Sequence, residues 1–497
     1  MKLSSAILVT LCLSFENNAS ATSFRDFFGP RFSPAPSVAT NQAPKKALDS
    51  IHRWNQIAID ASGLDHTPVA PGEMRTFGEQ LGPGRASRAM AIVHIAIFDS
   101  VNSVLGGYQS YTGIQPVKPP VSLDAAVAQA AHDTLAALYP SQAAKFNSLL
   151  GDDLNNVSNK NERANGVSLG QRAAAAILAL RTNDGAQIPE PTLGVNYFTS
   201  DQPGHWRQDP IGLQTIALGA HWGECVPFVL QIGSQFRVPP PPAMTSQAYA
   251  DAYNEVMSVG GDGVHTSTSR TPEQSFIGVF WAYDGTPSLC APPRLYNQLT
   301  VHIADQMNLN TIQLARLLAL VNTAMADTGI AVWESKYFYD FWRPVTGVRE
   351  SDPGTGPTGL GDGNPNTTGD PGFTPMGAPA SNLTGPNFTP PFPAYPSGHG
   401  GFGGAIFQTM RRFFGTDNIA FTFVSDEFNG VTKDNAGNVR PLMPRSFTTL
   451  TQAEQENGQS RIYLGIHWQF DKTAAIAQGR NVANYVFDHA FLPVSDH

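Results

Sequence analysis

The sequence predicts an all-α protein made of helical bundles, arranged as two four-helix-bundle-like halves with long loops rich in glycine and proline. Apolar residues recur at helical spacing in most long segments, as at Met90, Val93, Ile97 and Val101. No comparable segment alternates between apolar and polar residues, which is the pattern of a half-buried strand. The 497 residues include 46 Gly and 39 Pro and only 14% are charged, so much of the chain lies in loops and turns.

Helices are expected in both halves of the chain, with one long irregular segment near the motifs described below. Gly329 interrupts the segment 311–341 and suggests a break between two helices there. Residues 351–395 contain 9 Gly and 10 Pro and are expected to form a loop that walls a functional site. The alternative is a surface insertion without a role. The other predicted helices cover residues 47–61, 85–105, 123–139, 141–154, 161–180, 246–259, 294–308, 403–414 and 462–487.

The N-terminus has the features of an export signal. Lys2 is followed by a short apolar core over residues 6–13 and by small residues over 19–21. Residues 1–21 are therefore predicted to be a cleaved signal peptide, and the mature protein is expected to be secreted or periplasmic. A buried N-terminal helix is the alternative. Residues 22–46 show no periodicity and are expected to form an irregular arm.

A run of four prolines at residues 239–242 suggests a division of the chain. It lies in a predicted Pro-rich linker over 232–247, because consecutive prolines form a stiff extended segment. The linker separates an N-terminal helical half, residues 47–231, from a C-terminal helical half, residues 248–497, which carries the chemical motifs.

Composition argues against several classes of protein. The net charge is −9, from 31 Lys and Arg against 40 Asp and Glu, and this is unsuited to nucleic acid. No stretch after the signal reads as long and apolar enough to span a membrane. Cys12 leaves with the signal, so Cys225 and Cys290 either form one disulfide or are two small buried side chains. The sequence does not indicate an oligomeric state.

Two basic residues, Lys336 and Arg343, lie seven positions apart, which is about two turns of a helix. Both are therefore expected on one face of one helix, with Pro344 placing Arg343 at its end. Aromatic neighbours such as Trp333 and Trp342 indicate that this face is partly buried, where cations need an anionic partner. The alternative is a solvated basic face.

A Pro-Ser-Gly-His sequence at residues 396–399 precedes a predicted helix. The hydroxyl of Ser397, the backbone N–H of Gly398 and the free N–H groups of the first helical turn would favour a bound anion. The alternative is an ordinary serine N-cap beside a surface histidine, His399.

A third cluster combines Arg461, Gly465, His467 and Asp471. Because His467 and Asp471 are four residues apart, a helix would let the carboxylate bind one imidazole nitrogen and leave the other as a metal ligand or nucleophile. Arg461 would lie on another helical face, so a bend or helix end near Gly465 is expected. The alternative is a surface His–Asp pair.

The three clusters read Lys-x6-Arg-Pro, Pro-Ser-Gly-His and Ser-Arg-x3-Gly-x-His-x3-Asp. In this order they resemble the signature of the superfamily of vanadium-dependent haloperoxidases and type 2 phosphatidic acid phosphatases. The resemblance implies that His467, oriented by Asp471, is the only protein ligand to vanadium. His399 would assist peroxide binding by proton transfer, and Asp284 would pair with an arginine of the pocket. The residues implied to hold the vanadate oxygens are Lys336, Arg343, Ser397, Gly398 and Arg461.

Features outside the shared motifs favour the haloperoxidase branch, in particular fungal chloroperoxidase-like and secreted bacterial members. The chain is much longer than a minimal phosphatase, and residues 391–395 look like the corresponding segment of fungal-type chloroperoxidases. By resemblance, Phe392 and Trp333 would shape a halide pocket, and a histidine replaces this Phe in typical bromoperoxidases. Both rings could equally be core aromatics.

The resemblance thus implies oxidation of chloride or bromide by hydrogen peroxide to a hypohalous species, with vanadate as cofactor and a small organic acceptor as a further partner. The alternative is a secreted acid phosphatase, with His467 as nucleophile and His399 as general acid. A non-catalytic anion binder is a third hypothesis. The presence of His399, His467 and Asp471 argues against it, since binding would need only the cations.

Overall fold

Helices make up most of the regular structure of the protein. The computed structural model describes residues 23–30, 49–284, 288–378, 388–434 and 437–494. Within these ranges the chain forms fourteen α-helices and one two-stranded antiparallel sheet, which confirms the all-α prediction. The elements are α1 Phe24–Phe28, α2 Ser50–Asp65, α3 Gly82–Leu105, α4 Leu123–Leu138, α5 Ala143–Asn155, α6 Lys160–Leu180, α7 Gln247–Val259, α8 Pro272–Phe280, α9 Pro293–Gln306, α10 Thr311–Tyr339, α11 Pro344–Arg349, α12 Gly398–Phe414, α13 Leu450–Tyr463, α14 Gln469–His489, β1 Phe421–Phe423 and β2 Arg445–Phe447.

Helix α10 lies at the centre of the molecule and packs against α3, α12 and α14. Residues 314–333 are all buried, so the helix has no side that faces solvent. Its start is fixed by a capping box, in which the Asn310 side chain accepts from the Gln313 N–H and the Gln313 side chain accepts from the Asn310 N–H. Lys336, in the last turn of this buried helix, also lies inside the protein.

The break expected at Gly329 does not occur, because α10 runs through this position without interruption. A Cβ atom at Gly329 would lie 3.2 Å from the Ser87 hydroxyl of α3 and 3.4 Å from the Phe402 ring of α12. The glycine thus permits close approach of three helices. Gly329 serves packing between helices and does not end a helix. The local sequence was misleading because it does not show these contacts.

Two helices have the length and hydropathy of membrane spans, Gly82–Leu105 and Thr311–Tyr339. The expectation that no stretch reaches this length is therefore wrong. Their most apolar windows are 83% and 100% buried inside the protein. This is the burial of core helices, in which apolar side chains on every face contact other helices.

The helix expected over 462–487 begins later, as α14, and residues 462–463 are the end of a separate helix, α13, most of which was not predicted. A tight turn joins the two helices. Gly465 in this turn has φ +72°, and a Cβ atom there would lie 2.4 Å from the carbonyl oxygen of Gly260. The bend expected near Gly465 is thus present, and it ends one helix and allows the next to begin in a new direction.

The segment predicted as a linker, 232–247, packs against the rest of the protein. The Gln478 side chain on α14 donates to the carbonyl oxygens of Phe236 and Ala331, both at 3.0 Å. One apolar core contains residues of α3 and of α10, from both sides of this segment. The boundaries at 47–231, 232–247 and 248–497 therefore stay a prediction.

The two cysteines of the predicted mature chain do not form a disulfide. Cys225 and Cys290 are both buried with free thiols. The Cys290 Sγ lies 2.8 Å from the hydroxyl of Ser62 on α2. Of the two alternatives left open by the sequence, the structure has the pair of small buried side chains.

The N-terminal region is only partly described. The predicted signal peptide, residues 1–21, lies outside the described residues, as does most of the predicted arm over 22–46. The described part of the arm contains a one-turn helix, α1, with Phe27 and Phe28 buried. At this position the expectation of an irregular arm needs correction. The apolar Phe-rich stretch gains burial by folding against the protein.

The Gly/Pro-rich loop expected over 351–395 is present in its described parts. Residues 351–378 and 388–395 contain no helix and only isolated bridges, such as that between Ala378 and Phe388. The second of these parts leads directly into the N-terminus of α12, which positions it beside the clustered motif residues.

Candidate active site: a buried anion pocket

The predicted site residues either line one buried pocket between α10, α12 and the turn that joins α13 to α14, or contact or adjoin residues that line it. The side chains come from regions far apart in the sequence, and most of them are less than a tenth exposed. The structure brings together every residue singled out from the sequence: Asp284, Trp333, Lys336, Arg343, Phe392, Ser397, Gly398, His399, Arg461, His467 and Asp471.

Lys336 lies in the last turn of α10 and is fully buried. Its Nζ donates to the carbonyl oxygens of Pro393 and Ala394, both at 2.9 Å. An ammonium group has three donors, so one N–H is left for a ligand. Burial lowers the pKa of Lys336 well below its usual value, and nearby Arg343 lowers it further. A bound anion would offset both effects.

Arg343 is not on the same helix as Lys336, contrary to the prediction. Helix α10 ends where Asp340 adopts a left-handed conformation, φ 49°, and Arg343 is the N-cap residue of α11. Arg343 Nε donates to the Phe392 carbonyl oxygen and Nη1 to that of Ile466, both at 2.9 Å. Its buried Nη2 has no partner among the described residues. The reversal of the chain brings the guanidinium group to the same pocket as the ammonium group.

Arg461 lies in the last turn of α13, and its Nη2 donates to Asp284 Oδ2 at 2.5 Å. Its Nε is buried and has no partner within the described ranges. Burial raises the pKa of the Asp284 carboxyl, and the charge of Arg461 opposes this shift. The ion pair fixes one edge of the guanidinium group and leaves another donor for a ligand.

Ser397 is the N-cap residue of α12 and accepts a hydrogen bond from the Gly400 N–H at 3.3 Å. Its own N–H donates to the Asp471 carbonyl oxygen at 3.1 Å, which fastens the start of α12 to that of α14. A Cβ atom at Gly398 would lie 3.3 Å from the Trp333 ring. The first turn of α12 therefore presents backbone N–H groups and the positive end of its dipole to the pocket.

His467 precedes α14, and Asp471 is in its first turn, so the two residues do not lie on one continuous helix as predicted. Their contact nevertheless forms, with His467 Nδ1 2.7 Å from Asp471 Oδ2. That carboxylate oxygen also accepts from the Trp468 N–H at 3.0 Å. Burial lowers the pKa of His467 well below its usual value, and the nearby Arg343 and Lys336 add to this effect.

These contacts define the protonation state of His467. A neutral imidazole that donates from Nδ1 to Asp471 carries its lone pair on Nε2. This nitrogen lies 3.4 Å from Arg343 Nη1, at the lining of the pocket. His467 Nε2 is thus a ligand atom with a lone pair, and hydrogen-bond donors lie beside it.

His399, in the first turn of α12, has the opposite tautomer. Its Nε2 lies 2.7 Å from the Ala282 carbonyl oxygen and 3.0 Å from that of Trp281, so Nε2 carries the proton. Nδ1 lies 3.8 Å from Asp284 Oδ1. Burial and the charge of Arg461 lower the pKa of His399 well below its usual value. Nδ1 is therefore an unprotonated acceptor in the pocket.

No sequence pattern points to two residues that position His399. The Asn457 Nδ2 donates to the His399 carbonyl oxygen at 2.9 Å, and the Tyr296 hydroxyl donates to it at 3.2 Å. Asn457 precedes Arg461 by four residues, one turn of α13, and this spacing relative to a known motif residue is the only clue that the sequence offers.

Apolar side chains line most of the cavity that contains His399, Arg461 and His467, and we call this cavity the chamber. It provides about 40 Å³ for the centres of water-sized molecules, which is room for a few waters. The rings of Trp333 and Phe392 lie 4.9 Å apart in its wall. The Phe392 ring centroid is 5.1 Å from Lys336 Nζ and 4.9 Å from the Arg343 guanidinium carbon. The chamber therefore places apolar surface directly beside the cations.

The pocket fits a tetrahedral oxyanion such as vanadate. Arg343 Nη2 and Arg461 Nε are buried donors without a partner among the described residues, and one N–H of Lys336 is uncommitted. Leaving such donors unpaired costs free energy, which an anion with several oxygens would recover. His467 Nε2 would be the one imidazole nitrogen available to the central atom of such an anion. Within the described part of the chain no cluster of three or more His, Cys, Asp or Glu could hold a metal cation.

Comparisons with known proteins point to one family. Residues 316–495 match the family model of the second helical-bundle domain of vanadium chloroperoxidase. The vanadium chloroperoxidase of Curvularia inaequalis is 32% identical over 524 aligned positions, which cover 89% of this chain and 82% of that protein. That degree of identity over most of both chains establishes the family.

Two solved structures share the fold. The first bacterial vanadium-dependent iodoperoxidase superposes with a TM-score of 0.68 at 23% identity, over 90% of this chain and 98% of its own. The holo form of a bacterial vanadium-dependent chloroperoxidase superposes with a TM-score of 0.61 at 16% identity, over 88% and 97% of the two chains. The phosphatase alternative is not favoured by these relatives, and the chain belongs to the vanadium-dependent haloperoxidase family.

Proposed function

We propose that His467 Nε2 is the single protein ligand to vanadate in a reaction that oxidises chloride or bromide with hydrogen peroxide. One observation carries this proposal: the unprotonated His467 Nε2 and Arg461 line one small buried pocket, and the uncommitted donors of Lys336 and Arg343 lie behind its wall, beside Phe392 and His467. Asp471 acts through the imidazole, because its hydrogen bond holds the proton on Nδ1 and turns Nε2 towards the pocket.

The cations and the α12 N-terminus would hold the cofactor's oxygens. Vanadate, when bound, supplies a Lewis acid that activates hydrogen peroxide for attack by a halide ion. Lys336, Arg343 and Arg461 keep three positive charges around the anion, and the backbone N–H of Gly398 adds a dipole aimed at it. The Ser397 hydroxyl already accepts from the Gly400 N–H, so its own hydrogen is free to donate.

His399 is proposed as the acid–base residue. Its Nε2 proton is held by two carbonyl oxygens, so Nδ1 is the atom that can accept a proton from hydrogen peroxide and return it. Asp284 lies 3.8 Å from this nitrogen and would stabilise the imidazolium form. The charge of Arg461, paired with Asp284, limits that stabilisation and favours return of the proton.

Trp333 and Phe392 are proposed to form the apolar side of the halide site. The Trp333 Nε1 donates to the Leu218 carbonyl oxygen at 3.1 Å, so the indole offers the halide its ring and not its N–H. A weakly hydrated halide gains from contact with ring edges while the adjacent cations compensate its charge. A relative named for chloride oxidation, 32% identical, supports chloride as a substrate.

We also propose that the protein is exported after cleavage behind Ala21, on the pattern of residues 1–21. Intact-mass measurement of protein recovered from an expressing culture tests this, with a mature chain that starts near Thr22 as the expected result. A full-length chain retained in the cytoplasm would contradict the proposal. A small organic acceptor is the further partner proposed for the oxidised halide.

The catalytic proposal is tested with protein purified in phosphate-free buffer, with and without vanadate. Halide- and peroxide-dependent bromination or chlorination is expected only with vanadate. His467→Ala is expected to abolish it and to remove vanadate binding in equilibrium dialysis. Ester hydrolysis that vanadate blocks, without any halogenation, would overturn the proposal in favour of a phosphatase.

A further inference from the structure

The short helix α1 contributes to the wall of the chamber, although it lies more than 300 residues before the motifs. It is fixed by a capping box, in which the Ser23 hydroxyl accepts from the Asp26 N–H at 3.3 Å and the Asp26 carboxylate accepts from the Ser23 N–H at 2.7 Å. Asp26 also accepts from the Thr215 hydroxyl at 2.9 Å. These contacts give a five-residue helix a defined place against the rest of the protein.

The end of α1 is held just as closely. Gly29 has φ +90°, and a Cβ atom there would lie 1.8 Å from the Gly212 carbonyl oxygen. The Phe28 ring packs edge-on against Phe388, with centroids 5.7 Å apart. Phe388 belongs to the segment that leads to Phe392, so α1 packs on the same stretch of chain that walls the halide site.

A buried carboxylate, Asp209, joins these parts. Its Oδ1 accepts from the backbone N–H groups of Ile211 and Gly212, and its Oδ2 accepts from the N–H and hydroxyl of Thr389, at 2.6–2.8 Å. Asp209 thereby ties the loop under α1 to the segment before Phe392. The part of the chamber wall formed by α1 and the segment before Phe392 is therefore held in place by hydrogen bonds.

Phe27 is the residue of α1 that faces the chamber. It is 4% exposed and lines the same cavity as His399, Arg461 and His467. Most of the other lining side chains are apolar and buried, so the ring occupies space that a larger solute would need. Its neighbour Phe24 does not line the cavity and instead packs on Phe28 and Phe77, with centroids 4.4 and 5.5 Å away.

We propose that Phe27 is a specificity-determining residue that sets the size of peroxide admitted to the anion pocket. With Phe27 in place the chamber has room for a few waters, which suits hydrogen peroxide and a halide ion. A branched alkyl hydroperoxide would overlap the ring. The inference rests on the proposed peroxide-dependent reaction and adds that the N-terminal helix, and not the shared motifs, limits the oxidant.

The test compares hydrogen peroxide with tert-butyl hydroperoxide as oxidant in bromide oxidation by the vanadate-loaded enzyme. Phe27→Ala is expected to raise kcat/KM for tert-butyl hydroperoxide by about tenfold or more, because hydrophobic pockets discriminate by roughly 10–200-fold per methylene group. The kcat/KM for hydrogen peroxide and the affinity for vanadate are expected to change by less than about twofold, because the side chains proposed to bind the anion are unaltered.

Phe24→Ala is the matched control on the same helix and is expected to leave the ratio of the two oxidants unchanged. Phe27→Leu serves where Phe27→Ala does not fold, with a smaller shift in the same direction. An unchanged ratio in the folded Phe27 variant, or an equal shift in Phe24→Ala, would overturn the inference. Absence of bromination by the wild-type enzyme with hydrogen peroxide would instead contradict the proposed function.

Discussion

At the scale of single residues, the pocket works by pairing the non-reacting ring nitrogen of each histidine with an acceptor that holds its proton, which leaves the other nitrogen unprotonated. His467 is held through Nδ1 by Asp471, and His399 is held through Nε2 by two backbone carbonyl oxygens. The two imidazoles are thus kept neutral in opposite tautomers among three cations. Burial disfavours the charged form of each, and the cations add to that effect.

Asp471→Asn tests the hold on the His467 tautomer. The amide keeps the size of the side chain but removes the negative charge and one acceptor, so His467 loses its fixed orientation. Vanadate affinity is expected to fall by about 10–100-fold, the usual cost of losing such a partner. Equilibrium dialysis measures this. Asp488→Asn, at an exposed position of the same helix, is the control, and an equal loss there would contradict the assignment.

Phe392→His tests the halide site. Since the ring lies about 5 Å from Lys336 and Arg343, an introduced imidazole would be kept largely neutral and would add polarity beside the halide. The ratio of kcat/KM for bromide to that for chloride is expected to rise by about tenfold, the effect of about 1.4 kcal/mol at a contact. Steady-state bromination and chlorination measure the ratio. An unchanged ratio would remove Phe392 from the halide site.

At the scale of secondary-structure elements, the site depends on where helices end. Lys336, Arg343, Arg461 and His467 all lie at or next to a helix terminus, and the turn at Gly465 sets the direction between two of them. Helix termini provide free N–H groups and abrupt changes of direction. These side chains therefore converge on the anion site because the chain turns between helices, and not because they share one helix face.

Gly465→Ala tests the turn between α13 and α14. Gly415 is a matched control because it has nearly the same φ, +70° against +72°, while no described atom lies within 4 Å of a Cβ built there. Gly415→Ala is expected to cost about 1–2 kcal/mol for the left-handed conformation alone. Gly465→Ala adds the overlap with the Gly260 carbonyl and is expected to cost about 1–3 kcal/mol more. Urea unfolding measures both, and equal losses would refute the argument.

The sequence could predict which residues meet in the pocket but not the elements that bring them together. Residue types and their order carry the chemistry, so all the motif residues were identifiable. The continuity of α10 through Gly329 depends on contacts with α3 and α12. Lys336 and Arg343 lie on different helices because α10 ends at Asp340, where residues 340 and 342 form backbone hydrogen bonds with residues 206 and 204. Phe27 could not be found at all, because a buried phenylalanine has no chemical signature that separates a chamber wall from a core.

At the scale of the whole molecule, buried carboxylates hold the long connections to the helices. Asp327 on α10 accepts from three consecutive backbone N–H groups, those of residues 228–230, and Asp99 on α3 holds residues 110–112. Burial raises the pKa of Asp327 to about 6. Each carboxylate accepts hydrogen bonds from backbone N–H groups of a loop, in place of the partners that a strand or helix would have supplied. The long loops therefore stay fixed around a helical core.

Global stability is expected to depend on pH through His94, a core histidine of α3 far from the anion pocket in sequence. Its Nε2 lies 3.0 Å from Asn55 Oδ1, its Nδ1 has no partner among the described residues, and burial lowers its pKa to about 3. The unfolded chain binds this proton near pH 6.5 and the folded protein does not. The contribution of His94 to the free energy of unfolding is therefore fully present above pH 6.5 and is lost as pH falls towards 3.

His94→Gln should remove that dependence, since a neutral amide can still donate to Asn55 Oδ1 and takes up no proton. Between pH 7 and pH 5 the wild-type protein is expected to lose about 2 kcal/mol more stability than the variant, at 1.36 kcal/mol for each pH unit below 6.5. Urea unfolding of vanadate-free protein at both pH values measures the difference. Because His399 and His467 titrate in the same direction in both proteins, their contribution cancels. Parallel losses in wild type and variant would mean that His94 binds its proton in the folded state.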